Sequence, residues 1–178
     1  MAAASGWNTP SLARDPPSAS PFPAGPDSGE DISSSSRIRE PLTILLIEDN
    51  ETDRVVMREV LEQCGLNFRL HIAENGQDAL EFLQNTADDE SVPCPGLVLL
   101  DLNLPGISGI EVLKEIRNST RCNRVPVVIV TSSDSEEDKG ATGELGANAY
   151  FRKPTSLSEY LELAGVIHQV LRPENKPD

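Results

Sequence analysis

The sequence predicts a doubly wound α/β domain in which five parallel strands alternate with five helices, and three observations predict it. From Leu42 onward, short apolar runs alternate with amphipathic stretches, the pattern of a parallel sheet covered on both faces. Leu97–Leu100 is apolar at every position, as a strand buried on both sides must be. Polar residues follow the strands directly, at Glu48, Asp49, Asp101, Thr131 and Lys153, and a parallel topology gathers such strand ends on one edge.

Residues 43–47 form the first strand, which runs out at Glu48-Asp49-Asn50; Val55, Val56, Val60 and Leu61 then recur at helical spacing, with Gly65 as C-cap. A second strand over 68–73 reaches Asn75, the N-cap of a helix whose apolar face is Ala79, Leu80, Phe82 and Leu83. Residues 86–96, with Pro93 and Pro95, make a loop longer than most helix-to-strand connections. The central strand over 97–100 ends at Asp101, Pro105-Gly106 turns the chain, and Ser108 caps a third helix with Ile110, Val112, Leu113 and Ile116 inward. The fourth strand, 127–130, stops at Thr131-Ser132-Ser133. A fourth helix over about 135–145 is weak, because Gly140 and Gly143 each cost roughly 1 kcal/mol relative to Ala and only Ala141 and Leu145 anchor it. The fifth strand, 149–152, leads into Lys153-Pro154, and Leu157, Leu161, Ala164, Ile167 and Leu171 fit one final amphipathic helix.

Outside this pattern, residues 1–40 are Pro-, Ser- and Ala-rich without apolar periodicity and read as a disordered tail, in which Trp7 and Phe22 are isolated aromatics. The folded domain is expected over 41–173, with a short C-terminal tail over 174–178. With 178 residues and 38% hydrophobic content, the chain has material for one sizeable core. No apolar run is long enough to span a bilayer and no secretory signal opens the chain, so a cytoplasmic protein without membrane contact is expected. The net charge of −14 argues against direct nucleic-acid binding through phosphates. Cys64, Cys94 and Cys122 lack metal or redox-motif spacing and read as reduced thiols, and His71 and His168 read as structural.

The residues at the strand ends carry the chemistry. Three carboxylates brought together repel one another, and a cation must compensate; ligands that are all hard oxygens, without His or Cys, point to Mg²⁺. Lys153 adds a second positive charge and Thr131 a hydroxyl. The group is set up to receive a doubly negative phosphoryl group on Asp101.

These segments resemble the CheY-like receiver domains of two-component response regulators over about residues 42–171. IEDN resembles the family's acidic pair, LDLNLPGISG its phosphoacceptor segment, IVTS its hydroxyl segment and AYFRKP its lysine segment, and the intervals between them match as well. The resemblance implies a flavodoxin-like sheet of order 2-1-3-4-5. It implies that Asp101 is the phosphoacceptor, that Asp49, Asp101 and the Asn103 backbone carbonyl bind Mg²⁺, and that Glu48 acts through water. Thr131 would be the switch hydroxyl, Lys153 the phosphate-sensing cation, and Tyr150 the aromatic that turns inward on activation. Partners implied are a sensor histidine kinase or histidine phosphotransfer protein and a downstream protein target, with phosphorylation-dependent homodimerisation as one form of output. Because the chain ends soon after the last helix, a stand-alone regulator signalling through the face formed by the fourth helix, the fifth strand and the final helix is expected. Its ILLIEDNETDR opening and long loop resemble regulators paired with phytochrome-type kinases. Two other readings weigh less. A phosphatase or phosphotransferase of the haloacid dehalogenase type needs a second acid two residues after the nucleophile, where this chain has Asn103. A receiver that is never phosphorylated would not need Asp49, Asp101, Thr131 and Lys153 together.

Overall fold

A computed structural model describes residues 40–172; the expected tails, with Trp7 and Phe22, lie outside the described residues. Five strands, β1 (Leu42–Ile47), β2 (Phe68–Ala73), β3 (Leu97–Leu100), β4 (Val127–Thr131) and β5 (Ala149–Arg152), form one sheet. All pairings are parallel, in the order β2-β1-β3-β4-β5, as expected. Every residue of β3 and β4 is buried, which is why these strands are almost purely aliphatic.

Helices α1 (Glu51–Gln63), α2 (Gly76–Asp88), α3 (Gly109–Asn118) and α4 (Glu136–Glu144) each begin at a side-chain cap, supplied by Asn50, Asn75, Ser108 and Ser135. Ser108 and Glu111 close a reciprocal capping box at α3. The helices divide the core in two. Ala79, Leu83, Val112, Leu113 and Ile116 of α2 and α3 pack on Leu45, Ile47, Val98 and Leu100, while Met57, Val60 and Leu61 of α1 pack with Leu163 and Ile167 on Ile44, Leu46 and Leu99. Neighbouring positions along each strand therefore serve opposite layers.

Several details depart from the sequence reading. On α1, Val55 is 61% exposed, and Met57 takes the buried position instead. Helix α2 runs three residues further than expected, because the Thr86 hydroxyl is buried and donates to the Leu83 carbonyl at 2.6 Å. The last helix is two pieces, α5 (Leu157–Tyr160) and α6 (Glu162–Leu171), broken at Leu161. Tyr160, Leu163 and Ile167 face the core, and Leu157 and Leu161 are exposed rather than buried. Helix α4 is formed despite its two glycines, with Thr142 its one buried residue.

Cys94 and Cys122 are not reduced thiols but a disulfide, with Cα atoms 5.6 Å apart. The sheet is the reason: β3 and β4 are neighbours, so the loops that enter them lie at one edge and bring together cysteines far apart in sequence. Cys64 remains a buried thiol, its pKa pushed up by burial. The bond closes a loop of sequence separation 28, so breaking it should lower unfolding free energy by about 2–4 kcal/mol. Urea unfolding with and without a dithiol measures this; identical midpoints would show that the loops hold without the bond. Among the described residues, no helix is long and apolar enough to cross a membrane.

Candidate functional site

The register of the sheet builds the site. Ile47 pairs with Leu100, and the Asp101 amide donates to the Ile47 carbonyl at 3.0 Å, so Glu48 and Asp101 leave adjacent strands side by side. On the other flank the Lys153 amide donates to the Thr131 carbonyl at 2.8 Å, fixing the ends of β4 and β5 together. Past Asp101, Gly106 takes the turn with a φ of 75°, and α3 starts so close that its first residue must be glycine: a Cβ on Gly109 would collide with the Asp101 carbonyl oxygen and the Leu102 Cα.

At this edge the Lys153 ammonium lies 2.6 Å from Asp101 Oδ2, 2.7 Å from Glu48 Oε2 and 2.8 Å from Asp53 Oδ2. An ammonium has three N–H donors, so all three are used. Asp101 is 4% exposed and Glu48 1%, and burial of this kind costs several kcal/mol per charge unless the charges are paired. Burial works against the Lys153 ammonium, but the carboxylates of Asp101, Asp53 and Glu48 outweigh it and hold its pKa above the ordinary value. Burial dominates at Glu48, pushing its pKa up although Lys153 and the Asn50 amide pull the other way.

Sequence reasoning placed Glu48, Asp49, Asp101, Thr131 and Lys153 at one site, and the fold brings them together. Glu48, Asp49 and Asp101 can each offer a carboxylate oxygen within 4.8 Å of the others. Three carboxylates, those of Glu48, Asp53 and Asp101, hold one lysine with Asp49 alongside, and an oxygen-only donor set with excess negative charge suits a hard divalent cation. The fit is uneven in an informative way. Both Glu48 oxygens are engaged, by Lys153 and by the Asn50 amide at 3.0 Å, whereas Asp49 is exposed and its carboxylate has no protein partner among the described residues. The Arg54 guanidinium lies 3.4 Å from the carbonyls of both Glu48 and Asp49 and steadies the turn that carries them.

Two contributions were not legible beforehand. Asp53, in the first turn of α1, has no role in the sequence reading, because an acid at a helix start is ordinary there until Lys153 is placed beside it. The Asn103 side chain entered the sequence reading only as the absence of a second acid, and its carbonyl as a metal ligand. Its amide donates toward Thr131 Oγ1 at 3.3 Å and Ser132 Oγ at 3.2 Å, spanning the gap between the ends of β3 and β4, while its backbone N–H donates to Asp101 Oδ1 at 3.0 Å. Thr131 is fully buried, and its oxygen also accepts from the Ser133 amide. Tyr150 is half-buried and its hydroxyl donates to the Ser133 carbonyl at 3.0 Å, so it already touches the loop that Thr131 begins.

Residues 44–164 match the family model described as "Response regulator receiver domain". The chain is 39% identical over 129 residues to response regulator Rcp1 of Synechocystis, covering 72% of this chain and 88% of that one. It is 33% identical to two-component response regulator ARR17 of Arabidopsis thaliana over 144 residues, covering 78% and 92%. Among solved structures, the Mn²⁺-bound form of Rcp1 superposes with a TM-score of 0.67 at 37% identity, covering 78% of this chain and all of that one. The phosphorylated cyanobacterial phytochrome response regulator RcpA gives 0.66 at 31% identity, covering 72% and 92%.

Proposed function

Because this chain belongs to the response regulator receiver domain family, a family of signalling proteins that accept a phosphoryl group on an aspartate and bind a divalent metal, we propose that Asp101 is its phosphoacceptor and that the cation is Mg²⁺. The observation that carries this is Lys153 Nζ at 2.6 Å from Asp101 Oδ2, in a pocket of carboxylates at the carboxyl edge of the sheet.

In the reaction a carboxylate oxygen of Asp101 attacks the phosphorus of a phosphohistidine protonated on its other ring nitrogen, the P–O bond forms as the P–N bond breaks, and the imidazole leaves as the neutral base. Asp49, Asp101 and the Asn103 carbonyl would hold Mg²⁺, with Glu48 acting through a water ligand. Bound there, the ion supplies charge neutralisation for the phosphoryl oxygens. The chain's own groups do the rest. Lys153 stabilises a second oxygen, and the Thr131 hydroxyl donates to a third. To reach it, Thr131 gives up its contact with Asn103, which draws the Ser132-Ser133 segment and Tyr150 with it. The energy needed to bias such a two-state element is only a few kcal/mol.

Helix α4, with one buried residue in nine, is lightly held and free to respond, and the surface of α4, β5 and the α5-α6 segment is where a downstream protein or a second copy would read the change. The phosphoryl donor would be a histidine kinase or histidine phosphotransfer protein; the likeness to RcpA, described as a phytochrome response regulator, favours a kinase of the phytochrome type. Residues 1–40 would be a tail to the 41–173 domain, in a cytoplasmic protein that otherwise only catalyses its own phosphorylation and dephosphorylation.

Lys153→Ala tests the switch. It should leave measurable phosphoryl uptake, because the metal still neutralises charge, and should uncouple it from the response. Amide spectra of the β4–α4 loop with beryllofluoride and Mg²⁺ are the readout; shifts as large as in the wild type would show that the lysine carries no signal.

A further inference from the structure

We propose that Asp53 is a positioning residue for phosphoryl transfer, acting through Lys153; the inference rests on the reading of Asp101 as acceptor. Among the described residues, the one polar side-chain contact of Asp53 is the Lys153 ammonium, 2.8 Å away, and it reaches Asp101 only through that lysine.

Three features fix it there. The Asp53 amide donates to the Asn50 side chain at 3.1 Å, so the N-cap of α1 sets where the carboxylate emerges. A carboxylate in a first helical turn is favoured by the helix dipole, which supports Asp53 where it stands. It is partly exposed, unlike Glu48 and Asp101, so it holds the lysine without the full penalty of a buried charge.

The consequence follows from counting donors. Lysine has four rotatable carbons and a point-like charge, and without directional anchors its ammonium wanders. Glu48 and Asp53 take two of the three N–H groups from two sides, and the third is left aimed at Asp101. When a phosphoryl group arrives on Asp101, the third N–H moves to a phosphoryl oxygen while the other two hold. Asp53 thereby ties the β5 end of the site to α1 and prepays the ordering of the lysine.

This assignment makes a prediction opposite in sign to simple charge repulsion. Removing a negative charge near the site should speed uptake from an anionic donor if Asp53 does nothing else. If it positions Lys153, Asp53→Ala should slow maximal uptake from acetyl phosphate at saturating Mg²⁺ by on the order of ten-fold, the scale of one charged hydrogen bond. Asp53→Asn, which keeps an acceptor oxygen without the charge, should recover part of that rate. A second readout is independent of chemistry: the Lys153 ammonium protons, held by three acceptors, should give a resolved ¹H–¹⁵N signal in the full-length protein that broadens in Asp53→Ala. A slower Asp53→Ala with partial recovery in Asp53→Asn and a broadened ammonium signal bears the proposal out. A rate in Asp53→Ala equal to or above the wild type, or an unchanged ammonium signal, overturns it. Should Asp53→Ala melt early, Asp53→Asn alone decides by the same two readouts. Absence of any uptake by the wild type with Mg²⁺ would refute Asp101 as acceptor instead, and the ammonium signal would still report on Asp53.

Discussion

Asp101→Asn retains the fold and loses Mg²⁺-dependent phosphoryl uptake to background. The amide is isosteric, so its oxygen still accepts from the Asn103 amide, but it carries no charge and is not a nucleophile at phosphorus. Its NH₂ would oppose Lys153, which keeps Glu48 and Asp53 as partners. Stability should not fall, because the substitution removes one of four clustered carboxylates, and relief of that repulsion offsets the lost ion pair. Uptake of radiolabelled phosphoryl groups and thermal melting, measured side by side, check both halves. Label retained at the wild-type level would move the acceptor elsewhere.

Gly109→Ala damages both stability and chemistry, though residue 109 bears no functional group. The added methyl would overlap the Asp101 carbonyl oxygen and the Leu102 Cα, which are backbone atoms, so no rotamer change relieves it. Either α3 withdraws or the end of β3 moves. The overpacking should cost about 1–3 kcal/mol. Since the displaced peptide is that of the proposed acceptor, uptake should also fall, by as much as roughly 100-fold for a shift near 1 Å. Gly140→Ala and Gly143→Ala are the controls: nothing lies within 4 Å of a Cβ at either position, and each sits in α4, where Ala is favoured by about 1 kcal/mol. Denaturant midpoints and uptake rates together distinguish a packing defect from a general intolerance of substitution.

Much of the site was legible because its residues stand where strands run out, and buried strands announce themselves as unbroken aliphatic runs. Once 97–100 and 127–130 were read as strands, Asp101 and Thr131 had to share an edge. The helix faces were harder. Val55 and Met57 on α1 are both apolar and differ in facing by two positions, and only the packing against Ile44 and Leu99 chooses the methionine. In the last helix the break at Leu161 makes Tyr160, Leu163 and Ile167 the buried stripe, which a single continuous helix through Leu157 and Leu161 does not predict.

Asp53 and the Cys94–Cys122 bond were hidden for a related reason. An acid in the first turn of a helix is common for reasons of capping and dipole alone, so its type carries no message until Lys153, 100 residues away, is placed beside it. The two cysteines lack a short motif because what pairs them is the adjacency of β3 and β4. Glu48 was the opposite case. An acid directly after a buried strand, it was placed at the sheet edge by the strand alone, and its two oxygens have Lys153 and the Asn50 amide as partners.

The measurement that bears most directly on the central claim is the location of the phosphoryl group in the wild-type protein. Incubated with acetyl phosphate and Mg²⁺, then proteolysed in acid and analysed by mass spectrometry, the protein should carry one phosphoryl group on the peptide that contains Asp101. The label should be lost in alkali, as an acyl phosphate is, and absent when Mg²⁺ is chelated. A phosphoryl group found on another residue, or the same yield on Asp101 without a divalent cation, would contradict the account.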